Sequence, residues 1–237
     1  MNVSEQQSDE ALVHIPADGL SLEGNLALPA GARGIVVFAH GSGSGRQSPR
    51  NRAVARALNE AGFATLLFDL LTPEEEEIDQ ETAYLRFAIG TLAGRLLDAT
   101  DWLLQEPATQ HLAIGYFGAS TGAAAALMAA AQRPGVVRAV VSRGGRADMA
   151  GAALDRVASP TLLIVGGDDV PLIGLNREAL AELRCEKELT IVPGATHLFE
   201  EPGALEEVAR LAVAWFSRHR APAATSNART AAQISTS

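Results

Sequence analysis

Gly118-Ala119-Ser120-Thr121-Gly122 spells G-x-S-x-G where a short apolar run, His111 to Phe117, gives way to an alanine-rich stretch of helical character, Thr121 to Gln132. A serine on so tight a strand-to-helix turn projects its hydroxyl at the carboxyl edge of a sheet. Glycines two residues to either side let neighbouring backbone pass without a Cβ collision. Ser120 is therefore the candidate nucleophile. A serine hydroxyl attacks poorly at neutral pH unless a base sits within hydrogen-bond reach, commonly an imidazole oriented by a carboxylate.

Five histidines offer that base, and their places in the chain separate them. His14 lies in an N-terminal hairpin, His111 opens the strand before the elbow and so sits at its far end, and His219 closes the last helix. His40 follows a strand in His40-Gly41-Ser42-Gly43 and reads as a structural histidine that fixes that loop. His197 lies in Pro193-Gly194-Ala195-Thr196-His197, between the last strand and the last helix. Carboxyl ends of parallel strands share one edge, where ligands bind, so His197 is the candidate general base. The loop after the preceding strand, Gly166-Gly167-Asp168-Asp169, supplies two adjacent carboxylates that spacing alone does not separate. An oxyanion would be held by the N–H of Thr121, at a helix amino terminus, and by the N–H of Ser42 in the glycine-bounded loop after residue 39.

The elements needed to position these groups are legible. Val13 and Ile15, the Asp18-Gly19 turn, then Leu20, Leu22, Leu26 and Leu28 at period-two spacing predict an antiparallel hairpin. Strand-length apolar runs at 34–39, 64–69, 111–117, 137–142, 160–166 and 187–192 lack alternation, as strands covered on both faces do. Helices are predicted between them: one at about 49–61, opened by Ser48-Pro49 and closed by Gly62; a long one carrying Leu85, Ile89, Leu92, Leu96 and Leu103; and a last one carrying Leu205, Val208 and Trp215. Such alternation gives an α/β fold with a doubly wound, mostly parallel sheet and an antiparallel hairpin at one edge. The strands at 137–142 and 160–166 stand too close in sequence to enclose a lid domain, so the site is expected to be open.

Assembled in this order, strand-His40-Gly41-Ser42-Gly43, the elbow, Gly166-Gly167-Asp168-Asp169 and Gly194-Ala195-Thr196-His197 resemble the α/β-hydrolase superfamily over roughly residues 11–220. The superfamily often carries its acid three residues after a glycine that ends the strand, and from Gly166 that spacing points to Asp169, with Asp168 as the alternative. The short frame most resembles the dienelactone-hydrolase-like branch. Serine stands where dienelactone hydrolases carry cysteine, so the resemblance implies an ester or related acyl substrate rather than a lactone. The implied activity is hydrolysis of small carboxylic esters through an acyl-enzyme; alternatives are a thioesterase or acyltransferase using the same triad, or a non-catalytic binding module on this frame.

Bulk properties bound the rest. At 237 residues and 47% apolar composition the chain can bury one sizeable core, so one domain is expected over 11–220, with residues 1–10 and the Ala/Ser/Thr-rich 221–237 disordered. Nineteen basic against 28 acidic residues give a net charge of −9, which argues against nucleic-acid or anionic-membrane partners. A single cysteine, Cys185, forms no disulfide within the chain. The acidic start lacks a secretory signal, and no apolar run reaches the ~18 residues of a membrane span, so a cytoplasmic location is expected. No cofactor and no metal are expected: the run Glu74 to Glu77 lacks ligand spacing and reads as a solvated loop or helix start. Arg46, Arg50, Asn51, Arg143 and Arg146 fall near the same edge, either holding an anionic substrate group or forming surface ion pairs.

Overall fold

The computed structural model describes residues 10–220. Strands β1 (Glu10–Ala17), β2 (Leu20–Ala27), β3 (Gly34–Ala39), β4 (Ala64–Phe68), β5 (Ala113–Ala119), β6 (Val137–Arg143), β7 (Thr161–Gly166) and β8 (Lys187–Val192) form one sheet in the order β1-β2-β4-β3-β5-β6-β7-β8. The hairpin β1-β2 is antiparallel and joins β4 antiparallel; β4, β3, β5, β6, β7 and β8 run parallel. Helices α1 (Pro49–Glu60), α2 (Pro73–Thr82), α3 (Ile89–Gln105), α4 (Thr121–Gln132), α5 (Val170–Glu182) and α6 (Ala204–His219) fill the connections, with short 3-10 segments at Leu85–Phe87 and Ala147–Arg156. The fold is the expected one: an eight-stranded, mostly parallel α/β sheet with an N-terminal antiparallel hairpin.

Period-two geometry explains why the central parallel strands β3, β4, β5 and β7 are largely apolar. In β3, Ile35 and Val37 face the core beneath α3 and α4, while Val36 and Phe38 face the core beneath α1 and α6. Helices on both faces leave neither side of these strands exposed to water, whereas the edge strand β8 opens with exposed Lys187 and Glu188. Phe38 and Phe117 meet on the second face with ring centroids 4.9 Å apart, a contact worth about 1 kcal/mol beyond burial.

Helix ends follow their sequence signals. Ser48 accepts the N–H of Asn51 at the start of α1, with Pro49 in the first turn. The acidic run 74–77 opens α2 under a capping box, in which Thr72 Oγ1 accepts from Glu75 N–H and Glu75 accepts from Thr72 N–H. Three expectations need correction. The long helix α3 begins at Ile89, whereas Leu85, expected within it, lies in the separate 3-10 segment Leu85–Phe87 that ends at Ala88. The strand at the elbow begins at Ala113 rather than at 111, because His111 is exposed in the turn that follows α3. Residue 10 is the first residue of β1, paired with Ala27, rather than part of a loose terminus; the other residues of both expected tails, 1–9 and 221–237, lie outside the described residues.

The chain leaves β3 for β4 on one side and returns to β5 on the other, so the loops after β3 and β5 diverge and open a crevice at their carboxyl ends. Ala39 pairs with Gly118, which sets the two loops side by side. The α4 helix, lined by buried alanines from Ala123 to Ala126, lies close against the strands. A Cβ at Gly118 would stand 2.4 Å from Ala123 Cα, and one at Gly122 would stand 2.2 Å from the Ala39 carbonyl oxygen.

His40 ties the crevice walls together. Its Nε2 accepts the N–H of Leu70 at 2.9 Å, which leaves Nδ1 to donate to the Gly41 carbonyl at 3.0 Å. The imidazole is neutral in this arrangement. Desolvation holds its pKa below 6.5, against smaller opposing contributions from the Gly41 bond and the charges of Asp69 and Glu76.

Two outcomes are expected. Gly122→Ala must push the elbow from β3, lowering unfolding free energy by about 3 kcal/mol in urea titrations. Below pH 6.5 the unfolded chain protonates His40 before the native chain does, so this residue's contribution to stability is present above that value and is lost as pH falls through the depressed native value. His40→Gln should therefore show a smaller fall in urea midpoint between pH 7.5 and pH 5 than the wild type; equal falls would exclude His40 as a source of acid sensitivity.

Candidate active site

Ser120 occupies the turn between β5 and α4 with φ 51° and ψ −123°, a conformation that non-glycine residues hold only when the surroundings impose it. The surroundings are visible. Its N–H donates to the Arg143 carbonyl at 3.3 Å, and its carbonyl accepts from Ala123 N–H at 3.1 Å and Arg146 N–H at 3.0 Å. Its hydroxyl is half-buried and, among the described residues, has no hydrogen-bond partner.

Across the edge, His197 Nδ1 lies 2.8 Å from Asp169 Oδ2. The carboxylate is mostly buried, with its side chain 16% exposed, whereas the imidazole side chain is 43% exposed. Of the two adjacent acids, Asp169 is the one in contact with the imidazole; Asp168 is exposed and donates its backbone N–H to the Ala195 carbonyl. The link between Ser120 and His197 runs through the segment after β6. A Cβ on Gly144 would sit 3.1 Å from the His197 carbonyl oxygen and 3.6 Å from ring carbon Cε1, and the preceding residue accepts the Ser120 N–H. No direct hydrogen bond joins the Ser120 hydroxyl to the imidazole.

The loop after β3 approaches from the other side. A Cβ at Gly41 would lie 2.8 Å from Ser120 Cβ, and Ser42 Oγ is 3.1 Å from Thr121 Oγ1. The backbone N–H groups of Ser42 and Thr121 donate to no acceptor among the described residues. Two free donors beside a serine at a helix amino terminus form a place where negative charge is favoured. A shallow cleft, open to solvent, borders them, lined among others by Ser42, Gly43, Leu71, Arg86, Leu92 and Thr121.

The arginines near this edge divide. Arg46 donates its backbone N–H to Asp69 Oδ1 at 2.7 Å and pairs through its guanidinium with Asp69 and Glu23. Arg50 pairs with Glu200 and Arg146 with Asp148, at 2.9 and 2.8 Å. These three are ion pairs. Arg143 is neither an ion pair nor solvated: it is 7% exposed, within 3.5 Å of the Leu198 carbonyl and of Asn51 Oδ1. The anchoring role of Asp69 went unread in the sequence; its place directly after an all-apolar strand was the available signal.

Among the described residues no group of three or more His, Cys, Asp or Glu side chains could hold a metal ion, and no helix is long and apolar enough to cross a membrane.

Comparison with known proteins agrees with the fold. The model of the dienelactone hydrolase family matches residues 22–233. The crystal structure of a dienelactone hydrolase from Anabaena variabilis superposes with a TM-score of 0.88 at 61% identity, covering 90% of this chain and 98% of that one. The chain is 58% identical over 207 residues to two Mycobacterium tuberculosis proteins, of strains CDC 1551 / Oshkosh and ATCC 25618 / H37Rv, that carry the provisional name phosphoribosyl transferase. The match covers 87% of this chain and 46% of each relative, so the chain spans about half their length. A dienelactone hydrolase-like promiscuous phosphotriesterase from metagenomic libraries shares the fold at 19% identity and a TM-score of 0.71, covering 90% of this chain and 98% of that one. Elbow, topology and family match converge: this chain is an α/β-hydrolase and belongs to the dienelactone hydrolase family.

Proposed function

We propose that this hydrolase-family chain cleaves carboxylic esters of small substrates through a Ser120–His197–Asp169 triad. The observation that carries the reading is the 2.8 Å contact between His197 Nδ1 and Asp169 Oδ2, on the edge where the strained turn presents Ser120. In this mechanism Asp169 accepts the Nδ1–H and so leaves Nε2 as the base. Nε2 takes the Ser120 proton as the hydroxyl oxygen attacks the ester carbonyl, then delivers it to the departing alkoxide. The N–H groups of Ser42 and Thr121 receive the charge that develops on the carbonyl oxygen, where one lost donor costs about 3 kcal/mol of barrier. Water, deprotonated by the same imidazole, then releases the acid from the acyl-enzyme. The shallow, open cleft beside Ser42 and Thr121 suits a small substrate bound at the surface rather than a long chain enclosed in a tunnel.

Small neutral substrates suit a chain of net charge −9, and a soluble location in the cytoplasm is part of the same proposal. The transferase name of the mycobacterial relatives belongs to proteins about twice as long, whereas the hydrolytic reading here concerns the shared portion.

Ser120→Ala should lower the rate on a short-chain aryl ester by about 10⁴-fold or more with an unchanged circular dichroism spectrum. His197→Ala should do the same, and a fluorophosphonate probe should label Ser120 in the wild type alone. Retained hydrolysis in Ser120→Ala overturns the assignment. Absence of labelling favours a non-catalytic binding module, and faster cleavage of a matched thioester than of its oxygen ester moves the substrate class to thioesters.

A further inference from the structure

Arg143 is the last residue of β6 and points to the same face of the sheet as Ala139 and Val141, under α1 and α6. Burial, with a smaller contribution from the neighbouring Arg50 charge, pushes its pKa down to about 10, so it is still a cation at neutral pH. A desolvated guanidinium normally takes a carboxylate partner, as the buried Arg95 does with Glu75 at 2.9 Å. Arg143 has none among the described residues, and its Nε has no hydrogen-bond partner. A side chain so costly to bury, where methionine would fill similar volume, calls for a reason other than packing.

Its contacts supply one. Nη1 donates to the Leu198 carbonyl and Nη2 to Asn51 Oδ1, each at 3.5 Å, and the guanidinium carbon lies 5.9 Å from the centre of the Phe199 ring. Leu198 and Phe199 directly follow His197. Phe199 is buried and holds φ 57°, an unfavourable conformation for a bulky aromatic residue, closed by a 3.3 Å bond from its N–H to the Thr196 carbonyl. The turn carrying the imidazole is thus strained and needs external support. Arg50, itself paired with Glu200, braces the same loop from α1. Arg143 differs in reaching both ends of the site, because its own carbonyl accepts the Ser120 N–H.

We propose that Arg143 is a positioning residue that pins the Leu198-Phe199 turn to β6 and α1, holding the His197 imidazole in register with Ser120. The proposal rests on the reading of His197 as general base. Arg143 touches no substrate; it acts through the backbone beside the imidazole.

The test compares Arg143→Met, which keeps volume and removes the charge and donors, with Arg143→Lys, which keeps the charge and one donor. Arg143→Met should fold with an unfolding midpoint no lower than wild type, and kcat on an aryl ester should fall about 10-fold or more while KM changes by less than about 2-fold. The rate of fluorophosphonate labelling at Ser120 should fall in parallel, and Arg143→Lys should recover part of both losses. A residue that only packs would leave kcat and labelling unchanged in the folded Met variant, and that result overturns the proposal. Should Arg143→Met fail to fold, Arg143→Lys decides: kcat below wild type at unchanged KM supports it, and wild-type kcat overturns it. Full activity in His197→Ala overturns the base assignment and this proposal together, whereas an inactive His197→Ala beside a wild-type Arg143→Met overturns this proposal alone.

Discussion

Between β5 and α4 the polypeptide turns through a space that admits no additional carbon atom. Gly118 lies against the backbone of Ala123, and Gly122 lies against the carbonyls that end β3. These two approaches force Ser120 into a left-handed conformation and aim its side chain outward from the sheet. The strain is local, and the energy that maintains it comes from elsewhere: the ladder of β5 between β3 and β6, and the alanine face of α4 pressed on the first core. Loosening that packing would relax the turn and withdraw the hydroxyl.

Every other part of the candidate site is placed relative to this turn. The loop after β3 is brought beside it by the Ala39–Gly118 pairing, then fixed from behind by neutral His40 and from outside by the Arg46–Asp69 pair. The loop after β8 reaches it from the far side of β6, across two intervening strands, so its position depends on contacts that span the edge. Asp169 holds the ring, and Arg143 holds the turn that follows it. A buried cation without a counter-ion therefore belongs to the same economy as the strained serine, since both are unfavourable locally and both are sustained by the rigid sheet.

The family match places the chain among dienelactone hydrolases, while the residues around the elbow give the family frame its particular chemistry in the proposed ester hydrolysis. Serine at position 120, rather than a thiol, demands an imidazole that removes its proton during attack. In that proposal the orientation of the 197 loop is consequential, and two residues from separate elements, Asp169 and Arg143, converge on this solvent-exposed loop.

Much of this was legible in the order of residues alone. Period-two hairpin spacing, all-apolar strand runs and glycine-bounded turns are local signals, set by sterics and by which faces must be dry, and they placed the hairpin and all six parallel strands, the latter to within two residues at each end. Strand β5, read two residues early from His111, moved because apolar character does not mark where pairing begins: Gly34, at the start of β3, pairs with Ala113. The candidate residues Ser120, Asp169, His197, Ser42 and Thr121 were named from motif order. What the order of residues did not contain was the fate of the charges. Arg46, Arg50, Arg143 and Arg146 look alike in a sequence, yet three found carboxylates and one was buried beneath a loop from the opposite end of the chain. Partner choice and desolvation depend on distances between segments far apart in the polypeptide, and those distances exist only after the sheet has closed.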